Sequence, residues 1–533
     1  MDAFEWKNYY KNAVVYRIYP KSFSDSDGDG IGDFCGITQK IPYLLSLGVD
    51  VISLSSVFET DDDADLGSTN FLRLNPIYGT EEEFEAMLSA IHAAGMKLFL
   101  SLSLTCTSAL HEWFAKATSE RESSFKEYYI WQKGRGKKGL KAPDSQKDAQ
   151  KQSAWSYDEN VKAWYHHALG AKYPTLNYEN PRLRKEIVGA FSYWREKGVD
   201  GFVIENAYFS IKKIVLSDLK PLYKTNKDLF WTGGSLYQII NEVREKLGRD
   251  FPIILNATKV KPGVYPYLAA NENPTGDSIF AEQLISGLRF SDHSFKKKKF
   301  LHMYISLQKS ICKKELSFFF EDHKHRRLLS EFASVGDDLT LVAKLLAGLL
   351  LTSTATPVIY QGEEIAMDNF PFKKAYETLM EKENLHTCSP MQWDNAPNAA
   401  FSDGLPYLPL NDNYNEINVA AEAAIPSSVL CFYKNFISFR KASSALTMGS
   451  FEDYSKRDVI AFIRASDTER LLIIANTTNR HINYSVPSPL LEKEAYCEVC
   501  NYPVVSKPIF STMGLRPYEI RVFRLKAPLI GLN

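Results

Sequence analysis

The residues able to do chemistry in this chain gather at a few places. Asp25-Ser26-Asp27-Gly28-Asp29-Gly30-Ile31-Gly32-Asp33 alternates acids with small residues. Oxygens spaced in this way suit a hard cation such as Ca2+, which is held by carboxylates, backbone carbonyls and water. An EF-hand would need a bidentate Glu at its twelfth position, where Gly36 stands, so that version is poor; a solvated acidic turn is the other alternative. Three segments end, or directly follow, apolar runs of β type: Gly201-Phe202-Val203-Ile204-Glu205, Ile253-Ile254-Leu255-Asn256-Ala257-Thr258 and Glu321-Asp322-His323-Lys324. Only the first and third carry an acid. Cys497 and Cys500 have the spacing of a redox or metal pair, yet a single C-x-x-C without a second pair is equally two small residues of a β domain. The acidic cluster Asp61-Asp62-Asp63-Ala64-Asp65 reads as a solvated loop, with a cation or a partner as the sharper alternative.

The elements that must position these groups follow from hydrophobic pattern. Val14 to Tyr19, Val51 to Leu54 and Met96 to Leu104 are strand-like, and between them Ile37 to Leu47 and Glu81 to Ala94 are helical. Thr80 with three acids behind it is a helix start. The alternation resumes with a helix over Arg184 to Lys197 and a strand over Val199 to Ile204. Repeated βα units predict a parallel sheet, and the absence of a Gly-rich phosphate turn after the first strand favours a (β/α)8 TIM barrel over an open doubly wound sheet. In a barrel, the C-terminal strand ends carry the chemistry. The rhythm breaks over 105–174, read as an inserted subdomain after the third strand, with Lys133 to Lys141 in loop. From about 451 short alternating strands predict an antiparallel β-sandwich. The expected organisation is barrel over 1–104 and 175–450, insertion over 105–174 and terminal β domain over 451–533.

Composition sets limits on partners. A chain of 533 residues with 45% hydrophobic and 24% charged residues is ordinary globular material for two or three domains. A net charge of −1 gives no field to draw nucleic acid or a membrane, and the run Lys296 to Lys299 reads as a solvated patch. The N-terminus has no signal-peptide pattern, and the apolar stretch near Leu345 to Thr352 is too short to span a bilayer, which together predict a soluble chain. Seven scattered cysteines fit a reducing compartment, so a cytoplasmic location is expected.

Six segments resemble the α-amylase superfamily of glycoside hydrolases, in its oligo-1,6-glucosidase and α-glucosidase branch: Val14 to Gly36, Leu176 to Arg184, Val199 to Phe202, Thr356 to Ile365, Pro390 to Asn398 and Leu515 to Tyr518. They run through nearly the whole chain in the family's order. The resemblance implies a barrel, an insertion after the third strand and a C-terminal β domain. It also implies a structural Ca2+ or Mg2+ held by Asp25, Asp27, Asp29, the Ile31 carbonyl and Asp33. In that family an Asp after the fourth strand is the nucleophile, a Glu after the fifth is the general acid, and an Asp after the seventh steadies the transition state. The retaining mechanism needs two carboxyl groups about 5–5.5 Å apart, one of them with a raised pKa.

At each position this chain departs from the resemblance. Glu205 stands at the nucleophile position, one methylene longer than Asp, and Val203 replaces the Arg that would keep it ionised. Ala257 stands at the general-acid position, with no acid anywhere from Pro252 to Lys261. Anchored on Arg327-Leu328-Leu329-Ser330, the stabilising Asp becomes Lys324, a cation where an oxocarbenium-like state develops; His323 keeps its family position. Of the remaining sugar-contacting positions, a His becomes Cys106, an Arg becomes Cys388, and Gly67-Ser68-Thr69 replaces a Gly-Tyr-Asp. His111, Trp113 and Phe114 read as core at the base of the insertion. The expectation is a catalytically silent homologue, a scaffold or regulator of an active glycosidase paralogue or of a second copy, with residual α-glucoside binding. The alternative is a rebuilt hydrolase or transglycosylase that uses Glu205, with Glu321 or Asp322 as its second carboxylate.

Overall fold

The structure is a computed structural model that describes residues 3–61, 66–119, 123–205, 236–248, 251–256, 278–280, 295–311, 317–370, 385–491, 495–503, 509 and 511–526. Eight short strands form a closed parallel barrel in chain order: β1 (Val15–Ile18), β2 (Val51–Leu54), β3 (Lys97–Ser103), β4 (Gly201–Glu205), β5 (Ile253–Asn256), β6 (Ser278–Phe280), β7 (Ser317–Phe319) and β8 (Thr356–Tyr360). Most are buried along their whole length, as strands covered on both faces must be, which is why they read as unbroken apolar runs.

The chain divides into two compact units. The first comprises Met1–Trp6, Ser53–Ser89 and Lys97–Phe280. Within it β4 lies between β3 and β5, Ser103 opposite Glu205 and Ile204 opposite Leu255, so Glu205 and Asn256 end neighbouring strands at one level. A helix over Pro181–Glu196 feeds β4. Asn180 caps it by accepting from Arg182 N, proline sits in its first turn, and Leu183, Ile187, Ala190, Phe191 and Trp194 form its buried stripe. The helix over Glu81–Ala93 opens with a reciprocal cap: Thr80 Oγ1 accepts from Glu83 N at 3.2 Å while Glu83 Oε2 accepts from Thr80 N at 2.7 Å. Between β3 and β4 the insertion folds a three-stranded antiparallel sheet from Trp131–Gln132, Ala163–His166 and Trp155–Asp158.

The second unit comprises Lys7–Ile52, Ala90–Met96 and Ala281–Asn533. In it β8 pairs with β7 and β1. The helix expected over 37–47 is two helices, Phe34–Gln39 and Ile41–Leu47, broken at Lys40. Pro42 explains the break, having no N–H to give and a ring that would strike the carbonyl four residues back. The apolar helix Leu339–Leu351 is a buried core element, and Arg440 and Arg464 satisfy the carbonyls at its end: Arg440 Nη1 donates to Leu351 O and Ser353 O, and Arg464 Nη1 to Thr352 O and Ser353 O. Lys297, within the run expected to be solvated, instead lies 4.2 Å over the Phe332 ring and 5.2 Å over Tyr518.

The C-terminal all-β domain has a five-stranded sheet in the order β9 (Ser450–Asp453), β10 (Val459–Ala465), β11 (Arg470–Asn476), β15 (Ile520–Leu525), β13 (Tyr496–Cys500), and a two-stranded sheet of β12 (Ile482–Ser485) and β14 (Thr512–Leu515). Residues of both sheets, among them Ile463, Leu472, Tyr484, Met513 and Phe523, share one core, which makes it a sandwich. Among the described residues no helix is long and apolar enough to cross a membrane.

Candidate functional site

In the first unit, Glu205 closes β4 with only 5% of its surface exposed. Asn256, fully buried at the end of β5, donates its Nδ2–H to Glu205 Oε2 at 2.9 Å. Val203 is buried in the same strand and brings no charge to the pair. Ala257, at the expected general-acid position, lies outside the described residues, as do Asp62 to Asp65 of the acidic cluster. Cys106 is buried at the base of the insertion, where its thiol donates to Leu66 O at 3.4 Å and it packs with Ala168, Leu169 and Tyr173. It is core there. His111, expected as core, is buried and tilted against Trp113 and Phe71, and burial pushes its pKa down to about 4.

In the second unit the segment after β7 is tied down residue by residue. Arg327, fully buried, donates through Nη1 to Glu321 Oε2 at 3.0 Å and through Nη2 to Gln361 O at 3.0 Å. Glu321 also accepts from Leu329 N at 3.3 Å. Asp322 is fully buried and accepts from His325 Nδ1 at 2.8 Å and from Lys324 N at 3.0 Å. Burial alone would raise its pKa, but His325, His323 and Arg17 outweigh that and hold it far below the carboxylate range. Both acids considered as a second catalytic carboxylate are thus engaged, Glu321 in a buried ion pair with Arg327 and Asp322 in a hydrogen bond with His325. His323 stacks on Tyr19, ring centroids 5.1 Å apart, and its carbonyl accepts from the Cys388 thiol at 3.3 Å. Cys388 packs with Tyr19, Tyr360, Leu385 and Leu408, and Lys324 is half-buried.

The acid pair Glu363 and Glu364 lies inside the Thr356 to Ile365 segment, where the sequence assigns it no role. Glu364 Oε1 accepts from Tyr16 Oη at 2.6 Å and Tyr43 Oη at 2.7 Å, and Glu363 Oε1 accepts from Tyr433 Oη at 2.9 Å. Burial raises both carboxyls, Glu363 the more. They are a structural cluster, and the signal available beforehand was two adjacent acids inside an apolar segment. Asn256 gave a weaker one, a lone amide at a strand end.

The aspartate loop divides into two parts. Asp25, Asp27 and Asp29 converge, each offering a carboxylate oxygen within 4.8 Å of the others. A backbone hydrogen bond from Asp29 lowers the Asp27 pKa, but burial and the charges of Asp29 and Asp25 outweigh it and leave it raised. A cation would relieve that crowding, so the three fit a hard ion. Asp33 does not join them. Its oxygens accept from Ser26 N at 2.6 Å, Ser26 Oγ at 2.8 Å and Gly36 N at 2.6 Å, which makes it the cap of the helix it precedes. The Ile31 N–H donates to Asp29 Oδ1 at 2.7 Å.

Residues 17–449 match the family model for the alpha amylase catalytic domain, and 452–506 that for the alpha amylase C-terminal all-beta domain. An oligo-1,6-glucosidase of Parageobacillus thermoglucosidasius is 31% identical, covering 98% of this chain and 99% of its own. One from Bacillus cereus is 31% identical over 98% of this chain and 100% of its own. A solved trehalulose synthase superposes with a TM-score of 0.86 at 27% identity, over 97% of this chain and 100% of that one. The matches run from end to end in sequence and in fold: the chain belongs to the alpha-amylase family, in the branch of the oligo-1,6-glucosidases and α-glucosidases.

Proposed function

We propose that this chain is an α-glucosidase-family protein that has given up glycosidic cleavage and acts as a scaffold or regulator, through an active glycosidase paralogue or a second copy, with residual α-glucoside binding. The observation that carries this is the hydrogen bond that Glu205 accepts from Asn256. A retaining site needs a second carboxyl group with a proton to give. The neighbouring strand end offers Glu205 a buried amide, Asn256, whose N–H holds the carboxylate and cannot protonate a leaving oxygen. Loss of a general acid alone costs about a hundred- to ten-thousandfold in rate. The engagement of Glu321 by Arg327 and of Asp322 by His325 supports the same reading, since neither acid is left to substitute. Structural Ca2+ or Mg2+ at Asp25, Asp27 and Asp29, and a cytoplasmic location, belong to the proposal.

A second reading, a working α-glucosidase, oligo-1,6-glucosidase or transglycosylase with Glu205 as a relocated nucleophile, is favoured by the relatives, which bear hydrolase names and align along their whole length. Dependence of any α-glucoside turnover on Glu205 separates the two. If turnover is absent, a rise in melting temperature with maltose or isomaltose supports residual sugar binding, and co-purification of an active glycosidase supports the partner role.

A further inference from the structure

The edge strand of the C-terminal sandwich brings two thiols to one face that a regular strand would hold apart. Side chains alternate along a strand, so Cys497 and Cys500, three residues apart on β13, should point to opposite sides. The pairing of β13 with β15 contains a bulge. Cys497 faces Phe523, Val499 faces Val522 and Cys500 faces Arg521, leaving Glu498 as the extra residue. Phe523 and Arg521 are two apart on a regular strand and share a face, so the bulge turns both cysteines to that face.

The surroundings then make the two thiols unequal. Both are free and half-buried, on a strand at the edge of its sheet. Cys497 leans against the sandwich core, while Cys500 Sγ accepts from Tyr502 N at 3.4 Å and lies 3.7 Å from Glu519 Oε1. Cys497 Sγ donates to Val499 O at 3.5 Å. The neighbouring Cys500 thiol lowers the Cys497 thiol below its ordinary range; burial opposes this and the Arg521 guanidinium reinforces it. The neighbouring Cys497, with burial, pushes Cys500 up. One sulfur is thus poised as a nucleophile and the other keeps its proton until it is needed.

We infer that Cys497 and Cys500 form a reversible modification site, a dithiol that closes to a disulfide by exchange with a low-molecular-weight disulfide such as oxidised glutathione. The Cys497 thiolate attacks one sulfur of the small disulfide, forming a mixed disulfide and expelling one small thiolate, which takes up a proton. Cys500 then gives up its proton and attacks Cys497 Sγ, and the second small thiolate leaves with a proton. The protein loses two hydrogens and is oxidised; the small disulfide gains them and is reduced to two thiols.

The test treats the reduced full-length chain with oxidised glutathione, blocks remaining thiols and maps peptides by mass. The expected result is a Cys497–Cys500 disulfide inside one peptide, reversed by dithiothreitol, with the other cysteines blocked as free thiols. Cys500→Ser is expected to stop at a glutathione adduct on Cys497, and Cys497→Ser to leave Cys500 unmodified. The inference is overturned if both thiols of the wild-type chain stay free to the blocking reagent, if a stable adduct accumulates on Cys497 without closure, or if either cysteine pairs elsewhere. The wild-type result stands whether or not the variants fold.

Discussion

At the residue scale the protein turns on one hydrogen bond. Asn256, one residue before the expected general-acid position at Ala257, gives the buried Glu205 carboxylate an amide donor at 2.9 Å. Removing a donor from a buried charged acceptor leaves it short of its solvation, so Asn256→Ala is expected to cost about 1–3 kcal/mol near neutral pH, measured by chemical denaturation. Asn256→Asp places two carboxylates together, and like charges raise the pKa values of the pair. A group whose folded pKa is raised contributes its stability below its unfolded pKa, near ~4, and loses it as pH rises. The Asp variant is therefore expected to be destabilised more at about pH 7 than at about pH 4.5. Equal loss at both values would mean that Glu205 is not the group facing position 256. The bond was not legible beforehand. The resemblance drew attention to Ala257, and a lone Asn at a strand end carries no periodic signal. The strand end at Val203 to Glu205 was legible because strand ends are found from apolar runs, whatever polar residue follows, whereas the place given to Lys324 rested on the resemblance.

At the element scale the aspartate loop is held by both its acids and its glycines. Gly30 has φ +92°, and a Cβ there would lie 2.1 Å from Leu405 O, so the chain fits only without a side chain. Gly30→Ala is expected to destabilise by at least the ~1–2 kcal/mol that the left-handed conformation costs an L-residue, read from denaturant midpoints. If Asp25, Asp27 and Asp29 hold Ca2+, the ion at a hundred times its Kd adds about 2.7 kcal/mol, and chelation should lower the melting temperature accordingly. Asp27→Asn should lose most of that response. No change in melting temperature with either Ca2+ or Mg2+ would remove the ion from the account. Asp33, which the resemblance assigned to the ion, caps the helix that follows, a role that an aspartate in a loop of acids does not announce. The apolar spacing continues through the helix break at Lys40 and hides it, although Pro42 stands two residues on. Barrel strands, the insertion's place in the chain and the terminal β domain were legible, since each rests on periodicity over many residues.

At the scale of the whole molecule, two buried histidines set an acid limit. Burial pushes the pKa values of His111 and His166 down to about 4, and His166 is bonded to Thr175 Oγ1 at 3.0 Å. Unfolded, each would titrate near ~6.5. A histidine with a depressed folded pKa contributes its full stability above the unfolded value and loses it as pH falls toward the folded one. At ~1.36 kcal/mol per unit, each accounts for up to about 3 kcal/mol between roughly pH 6.5 and pH 4. His166→Gln is expected to flatten this limb in denaturation series across that range; an unchanged slope would show that other groups set it. Family membership fixes the fold, and whether this member hydrolyses α-glucosides is the open question of the proposal. The measurement that decides is turnover of an aryl α-glucoside, maltose and isomaltose by the purified protein, beside Glu205→Gln prepared in the same way. The expected result is a rate indistinguishable from that of the variant; turnover that disappears in Glu205→Gln would contradict the account and make Glu205 a working nucleophile.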